Sequence, residues 1–171
     1  MKHIISVLVE NKFGVLARVA GLFSARGFNI ESLAVGETED PAMSRMTIVT
    51  EGDEKTLEQI KKQLNKLIDV ITVRDFMKKE YVERELVLIK VSINAKNKNE
   101  VIKIADSAGG EVVNLGARSI CIEATGDMKK IEKLVASLKP FGILEAVRTG
   151  RIAIGIEDKE MLSKGKPEVN E

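Results

Sequence analysis

The sequence predicts an α+β protein built from two tandem β-α-β-β-α-β units, and three observations carry the prediction. Apolar residues recur with strand and helix periods in that order, twice along 171 residues. Two segments of the first half have counterparts in the second: SARGFNI at 24–30 resembles SAGGEVV at 107–113, and GDEKTLEQI at 52–60 resembles GDMKKIEKL at 126–134. The composition, 44% hydrophobic and 31% charged, is that of a globular chain, and the length suits two small domains.

The first unit opens with IISVLVE at 4–10, where Ile5, Val7 and Val9 share one strand face and Ile4 and Leu8 the other. NKFG interrupts it. Val15, Leu16, Val19, Ala20 and Phe23 then recur at helical spacing, and Gly27 is placed to end the helix in a left-handed conformation. FNIESLAVG is a second strand, ETEDPAMS a loop and RMTIVTE a third strand. Gly52-Asp53 supplies a helix N-cap ahead of Leu57, Ile60, Leu64 and Leu67, and DVITVRDF is the fourth strand.

The second unit repeats the order. LVLIKVSI is a strand, Val101, Ile102, Ile104 and Ala105 belong to a helix ending near Gly109-Gly110, and EVVNL and SICIEA are strands. Gly126-Asp127 caps a helix bearing Ile131, Leu134 and Leu138, and residues 143–154 contain the last strand. This is the ferredoxin-like arrangement, twice. The reading divides the chain into a domain at 1–76, a charged linker at 77–84 (MKKEYVER), a second domain at 85–156 and a loosely ordered tail at 157–171. The sheet face away from the helices carries Ile4, Leu8, Leu86 and Leu88, so it calls for cover by an oligomer or by the other unit.

Composition excludes much chemistry. Twenty-seven basic residues against 26 acidic ones give a net charge of +1, without the basic excess that nucleic-acid binding needs. The β-α-β-β-α-β order is shared with RNA readers, but those stack bases on sheet aromatics, and RMTIVTE and SICIE contain none. One cysteine and one histidine cannot make a disulfide or a zinc site. His3 has no carboxylate or nucleophile at a suggestive spacing, and Cys121 alternates with Ile120 and Ile122 as a small strand residue. Glu37, Glu39 and Asp40 form a solvated hairpin loop in preference to a cation site. Neither a Walker, Rossmann, GxSxG nor HExxH motif is present, so no catalytic residue and no metal ligand is assigned. No apolar run approaches the roughly 18–20 residues of a membrane span, and Glu10 and Lys12 follow the first apolar run too closely for a signal peptide. The expectation is a cytoplasmic protein.

The informative segment is ENKFGVLARVAGLFSARGFNIESLAV at 10–35, which resembles the opening of an ACT domain. Together with DPAMSRMTIVTEGD, RELVLIKV and LEAVRTGRIAI, it resembles the small, regulatory subunits of acetohydroxyacid synthase (acetolactate synthase) across residues 4–154. The resemblance implies a non-catalytic subunit, without a cofactor of its own, that activates a catalytic large subunit using thiamine diphosphate, Mg and FAD. It also implies feedback sensitivity to L-valine and a homodimer joined through residues 1–76.

The residues give that role a physical basis. A helix N-terminus attracts a carboxylate, and Gly14, lacking Cβ, lets a ligand approach the backbone there. Asn11 offers a donor and an acceptor to an amino-acid zwitterion, and Val15, Leu16 and Ile30 supply apolar wall. Asn29, by resemblance, reaches a ligand at the interface between two subunits. A reading as turn residues stays open for Asn11, Gly14 and Asn29. The alternative function is a free-standing amino-acid-sensing module acting on another enzyme or a transcription factor, which RELVLIKV in the second half argues against.

Overall fold

The computed structural model describes residues 1–77 and 79–156. In the first unit, β1 (Lys2–Glu10) leads to α1 (Val15–Ala25), β2 (Ile30–Glu37), β3 (Met43–Glu51), α2 (Glu54–Leu64) and β4 (Val70–Asp75). In the second, β5 (Tyr81–Ser92) leads to α3 (Lys98–Ser107), β6 (Gly110–Leu115), β7 (Ser119–Gly126), α4 (Met128–Leu138), a 3₁₀ turn (Lys139–Phe141), β8 (Ile143–Arg148) and β9 (Ile152–Gly155). The sheets run β2-β3-β1-β4 and β6-β7-β5-β8, with β9 added to the start of β5. Two ferredoxin-like units stand in tandem, as the periodicity predicts.

The cores follow the sequence pattern. Ile5, Val7 and Val9 of β1 meet Val15, Val19 and Phe23 of α1 and Leu57, Ile60 and Leu64 of α2. Burying each of the α2 side chains stabilises the fold by roughly 1.5–3 kcal/mol. Asp53 caps α2 by accepting the Thr56 N–H at 2.7 Å, and Asp127 caps α4 by accepting the Lys130 N–H at 2.8 Å. Gly27 does take a left-handed backbone, with φ +69°. The second core joins Val87, Ile89 and Val91 to Ile131, Leu134 and Leu138.

Two expectations need correction. Within 77–84, read as a linker, residues 81–84 are strand: Tyr81 pairs with Gly155 and Arg84 with Ile152. The segment alternates half-buried Tyr81 and Glu83 with exposed Val82 and Arg84, so its charges mask a period of two. The C-terminal stretch 143–154 holds two strands rather than one, broken at residues 149–151. The tail at 157–171 lies outside the described residues.

A third cluster lies between the units: Ile4, Val49, Phe76 and Ala153 are buried, with Tyr81 packed on them. The second unit thereby covers part of the open face of the first sheet. Leu8 and Leu86 remain half-buried, and Leu88 keeps 37% of its surface exposed.

Candidate functional site

The loop at residues 11–14 carries the chain from β1 into α1. Gly14 is the N-cap residue, with φ +82° and no side-chain cap, and the first turn of α1 contains no acidic residue. A residue with a Cβ would be strained there, and a Ser or Asp cap would occupy the N–H groups. The helix therefore presents its positive end uncapped by any side chain. Lys12 and Arg18 flank it, each paired with a carboxylate. Arg18 Nη2 lies 2.6 Å from Asp69 Oδ2, and Lys12 Nζ lies 2.7 Å from Glu10 Oε2. The hydrogen bond from Lys12 to Glu10 raises the lysine pKa, so Lys12 remains a cation at neutral pH.

Asn11 precedes this end by three residues in the same loop. Its Nδ2 donates to Glu37 Oε1 at 3.0 Å and to the Pro41 carbonyl at 2.9 Å, and its backbone N–H donates to the Ala42 carbonyl at 2.7 Å. Both amide hydrogens are thus committed to the β2–β3 hairpin. Contrary to the sequence reading, Asn11 offers a ligand only its acceptor oxygen, suited to an ammonium group. Leu16 is 44% exposed beside the loop. Val15, expected as pocket wall, is 3% exposed and faces the core with Val19 and Phe23. Ile30 is half-buried and also packs on that core.

Asn29 and Ile30 lie elsewhere in the chain. Glu10 pairs with Met43 at one end of β3, and Ile30 pairs with Thr50 near the other. At about 3.3 Å per residue the two ends of that strand are roughly 23 Å apart. Asn29, exposed, accepts from Thr50 Oγ1 through its carbonyl at 2.6 Å. Within one chain the structure brings Asn11, Gly14 and Leu16 together and leaves Asn29 at the far end of the sheet.

Sequence reasoning missed Lys12, Phe13 and Arg18. The signal for Arg18 was present, since a cation four residues after Gly14 sits one turn above the helix start. Phe13 is 104% exposed. An aromatic between Lys12 and Gly14 in a loop has no core to enter. Of the acidic loop, Glu37 holds Asn11 and Asp40 Oδ1 accepts the Ala42 N–H at 2.9 Å, which accounts for both without an ion. Among the described residues, no group of three or more His, Cys, Asp or Glu side chains is gathered to hold a metal, and no helix is long and apolar enough to cross a membrane.

Known proteins place this architecture. The family model for the AHAS small subunit-like ACT domain matches residues 5–72, and the model for the small subunit of acetolactate synthase matches residues 84–157. The acetolactate synthase small subunit of Mycobacterium leprae is 51% identical over 152 residues, spanning 89% of this chain and 90% of its own. That of Haemophilus influenzae is 44% identical over 163 residues, spanning 95% of this chain and 100% of its own. The crystal structure of the acetolactate synthase small subunit from Thermotoga maritima superposes with a TM-score of 0.84 at 39% identity, over 92% of this chain and 99% of that one. With both units matched in order and the likeness running nearly end to end, this chain belongs to the acetolactate synthase small-subunit family.

Proposed function

We propose that this chain is the regulatory subunit of acetohydroxyacid synthase in branched-chain amino-acid synthesis, acting in the cytoplasm. It activates the catalytic large subunit and makes that subunit sensitive to feedback by L-valine. The thiamine diphosphate, Mg and FAD belong to the catalytic partner, and this chain contributes no catalytic residue.

The observation that carries the reading is the placement of β2. It is an edge strand, and its end at Glu37 is tied to Asn11 beside the uncapped start of α1. If two copies pair antiparallel along β2, the start of one strand lies against the end of the other. Asn29 of one copy then arrives beside Asn11 and Gly14 of its partner, closing the gap that a single chain leaves open. A valine carboxylate fits the helix N-terminus, its ammonium the Asn11 Oδ1, and its methyl groups the exposed flank of Leu16. The middle of β2, Leu33 to Gly36, has no charge or proline to block such pairing.

The test is binding and activation together. L-valine raises the melting temperature of the isolated chain, by the equivalent of about 2.7 kcal/mol at 100 times Kd, and alanine or D-valine raises it much less. Added to the catalytic subunit, the chain increases turnover, and valine reverses the increase. Equal shifts for L- and D-valine, or no change in turnover, would refute the reading.

A further inference from the structure

We propose that the apolar groove between the first sheet and the β5–β9 ribbon is covered by the same ribbon of a second copy of this chain, so that the second unit takes part in the dimer. The inference rests on the β2-paired homodimer proposed above and adds a second contact to it. The groove has a volume of about 430 Å³. Its floor is the open sheet face at Ala34, Gly36 and Thr47, and its wall is Val82, Ile152 and Ile154.

The wall follows from the pairing within the ribbon. Val82 pairs with Ile154 and Arg84 with Ile152, so these four share one face, while Glu83 and Ala153 turn to the other. That other face packs on the first sheet, where Ala153 joins Ile4, Val49 and Phe76 in the buried cluster. The face left over keeps Ile152 58% and Ile154 60% exposed, with Val82 exposed beside them. Three β-branched side chains gathered on one open face mark an interaction surface. The floor leaves room as well. Gly36 has no left-handed φ, and a Cβ there would meet nothing within 4 Å beyond its chain neighbours. Nothing within the chain requires a glycine at this position. Glycine weakens a strand, and it often marks the close approach of another backbone.

The edge strand says what approaches. Residues 34–37 form one bank of the groove and are also the end of β2. A copy paired antiparallel along β2 extends the sheet about a two-fold axis normal to it, so both open faces and both ribbons lie on the same side. Each ribbon meets β2 close to that axis, because the Arg151 N–H donates to Ser32 Oγ at 3.0 Å and Ile152 follows directly. The two apolar walls then face each other over the paired strands. Charge agrees with this seating: Arg84 stands opposite Ile152 near the start of β2, where the antiparallel strand of the other copy ends at its Glu37. A seam of two edge strands is narrow, whereas a stable interface buries about 800 Å² per partner. The ribbons widen the seam with apolar surface.

The experiment measures the dimer dissociation constant of the full-length chain by sedimentation equilibrium. Ile152→Lys combined with Ile154→Lys should raise Kd roughly ten- to a hundredfold, as the loss of an apolar interface centre does. Gly36→Val adds a side chain where the single chain has room, so it should raise Kd without lowering the melting temperature of the dilute monomer. It provides the readout if the double variant fails to fold. Leu144→Lys, at a side chain 60% exposed on β8, is the control and should leave Kd unchanged. A parent that sediments as a monomer at every concentration would refute the homodimer reading, and this proposal with it. A dimeric parent whose Kd is matched by the folded variants, or raised as much by Leu144→Lys, would overturn this proposal alone. So would an unchanged Kd with lost binding to the catalytic subunit, which would make that chain the occupant. Amide shifts at 34–37 and 152–154 on removal of residues 157–171, but not on dilution, would assign the groove to the C-terminal tail and overturn it too.

Discussion

Replacing Gly14 with Asp should abolish feedback while leaving activation intact, because the change acts on charge at one helix end. Gly14 has φ +82°, so any side chain there carries left-handed strain of about 1–2 kcal/mol. Space is not the obstacle: an added Cβ would meet Arg18 Nη1 at 3.5 Å, an ordinary contact. A carboxylate at a helix N-cap returns part of the strain through the dipole, so the fold should survive. The ligand fares differently. Two carboxylates about 4 Å apart repel by roughly 4 kcal/mol at an effective dielectric of 20, near a thousandfold in affinity. Arg18, half exposed and within reach of the new side chain, screens some of this, so a loss of at least about a hundredfold is expected. The assay follows turnover of the catalytic subunit with the variant against added valine. Since feedback is a coupling between two sites, it vanishes when the effector cannot bind. Gly14→Ala has the strain and the added Cβ without the charge, and should lose clearly less valine sensitivity than the aspartate. If alanine and aspartate abolish inhibition equally, the electrostatic argument is wrong. If the aspartate variant folds but fails to activate, the loop also contacts the catalytic chain.

Val35→Lys places a charge at the centre of the β2 edge, so sedimentation at micromolar concentration should show a monomer, and valine binding should disappear with the dimer. Asp127→Ala removes the cap of α4 and should lower stability by about 1 kcal/mol, read as a fall in denaturation midpoint with unchanged slope. Burial opposes ionisation of Asp75, but the Lys61 ammonium at 2.7 Å outweighs it and sets the Asp75 pKa below its usual 3.8. The stability that Asp75 contributes is present above that pH and lost as pH falls through the lowered value, so Asp75→Asn should destabilise at pH 7 and the difference from the parent should shrink as the pH falls below 3.8. Ser32→Ala removes the hydroxyl that accepts the Arg151 N–H at 3.0 Å, and should weaken inhibition more than valine affinity in a titration that follows both.

What the sequence disclosed depended on whether the information was local. Asp53 and Asp127 are legible as caps because the cap, the turn and the apolar face all lie within a few residues. The strand at 81–84 is hidden because its partner, β9, is some seventy residues away and supplies the reason for its alternation. The direction of Val15 was available: Val15, Val19 and Phe23 stand four apart on one stripe, which is the core stripe, and Leu16 lies beside it. The state of Asn11 was not, since its hydrogens go to Glu37 and Pro41, and only the folded hairpin brings those acceptors near. The separation of Asn29 from Gly14 follows from the register of β3, which no local pattern states.

That separation bears on how a signal could travel. The loop at 11–14 follows the end of β1, whereas the contacts with the second unit gather at its beginning, where Ile4 packs on Ala153. A signal confined to one chain would have to cross some 20 Å of well-packed sheet, which has little freedom to transmit a displacement. The start of β2 lies at the junction end, because Ser32 holds the Arg151 N–H. In the proposed antiparallel pair, a ligand at one copy's Gly14 touches the partner's Asn29, three residues before the partner's Ser32. In that pair the short route from effector to second unit crosses between subunits. A monomeric variant should lose regulation even if its second unit still docks, since in the proposed pair the dimer is both the binding site and the connection.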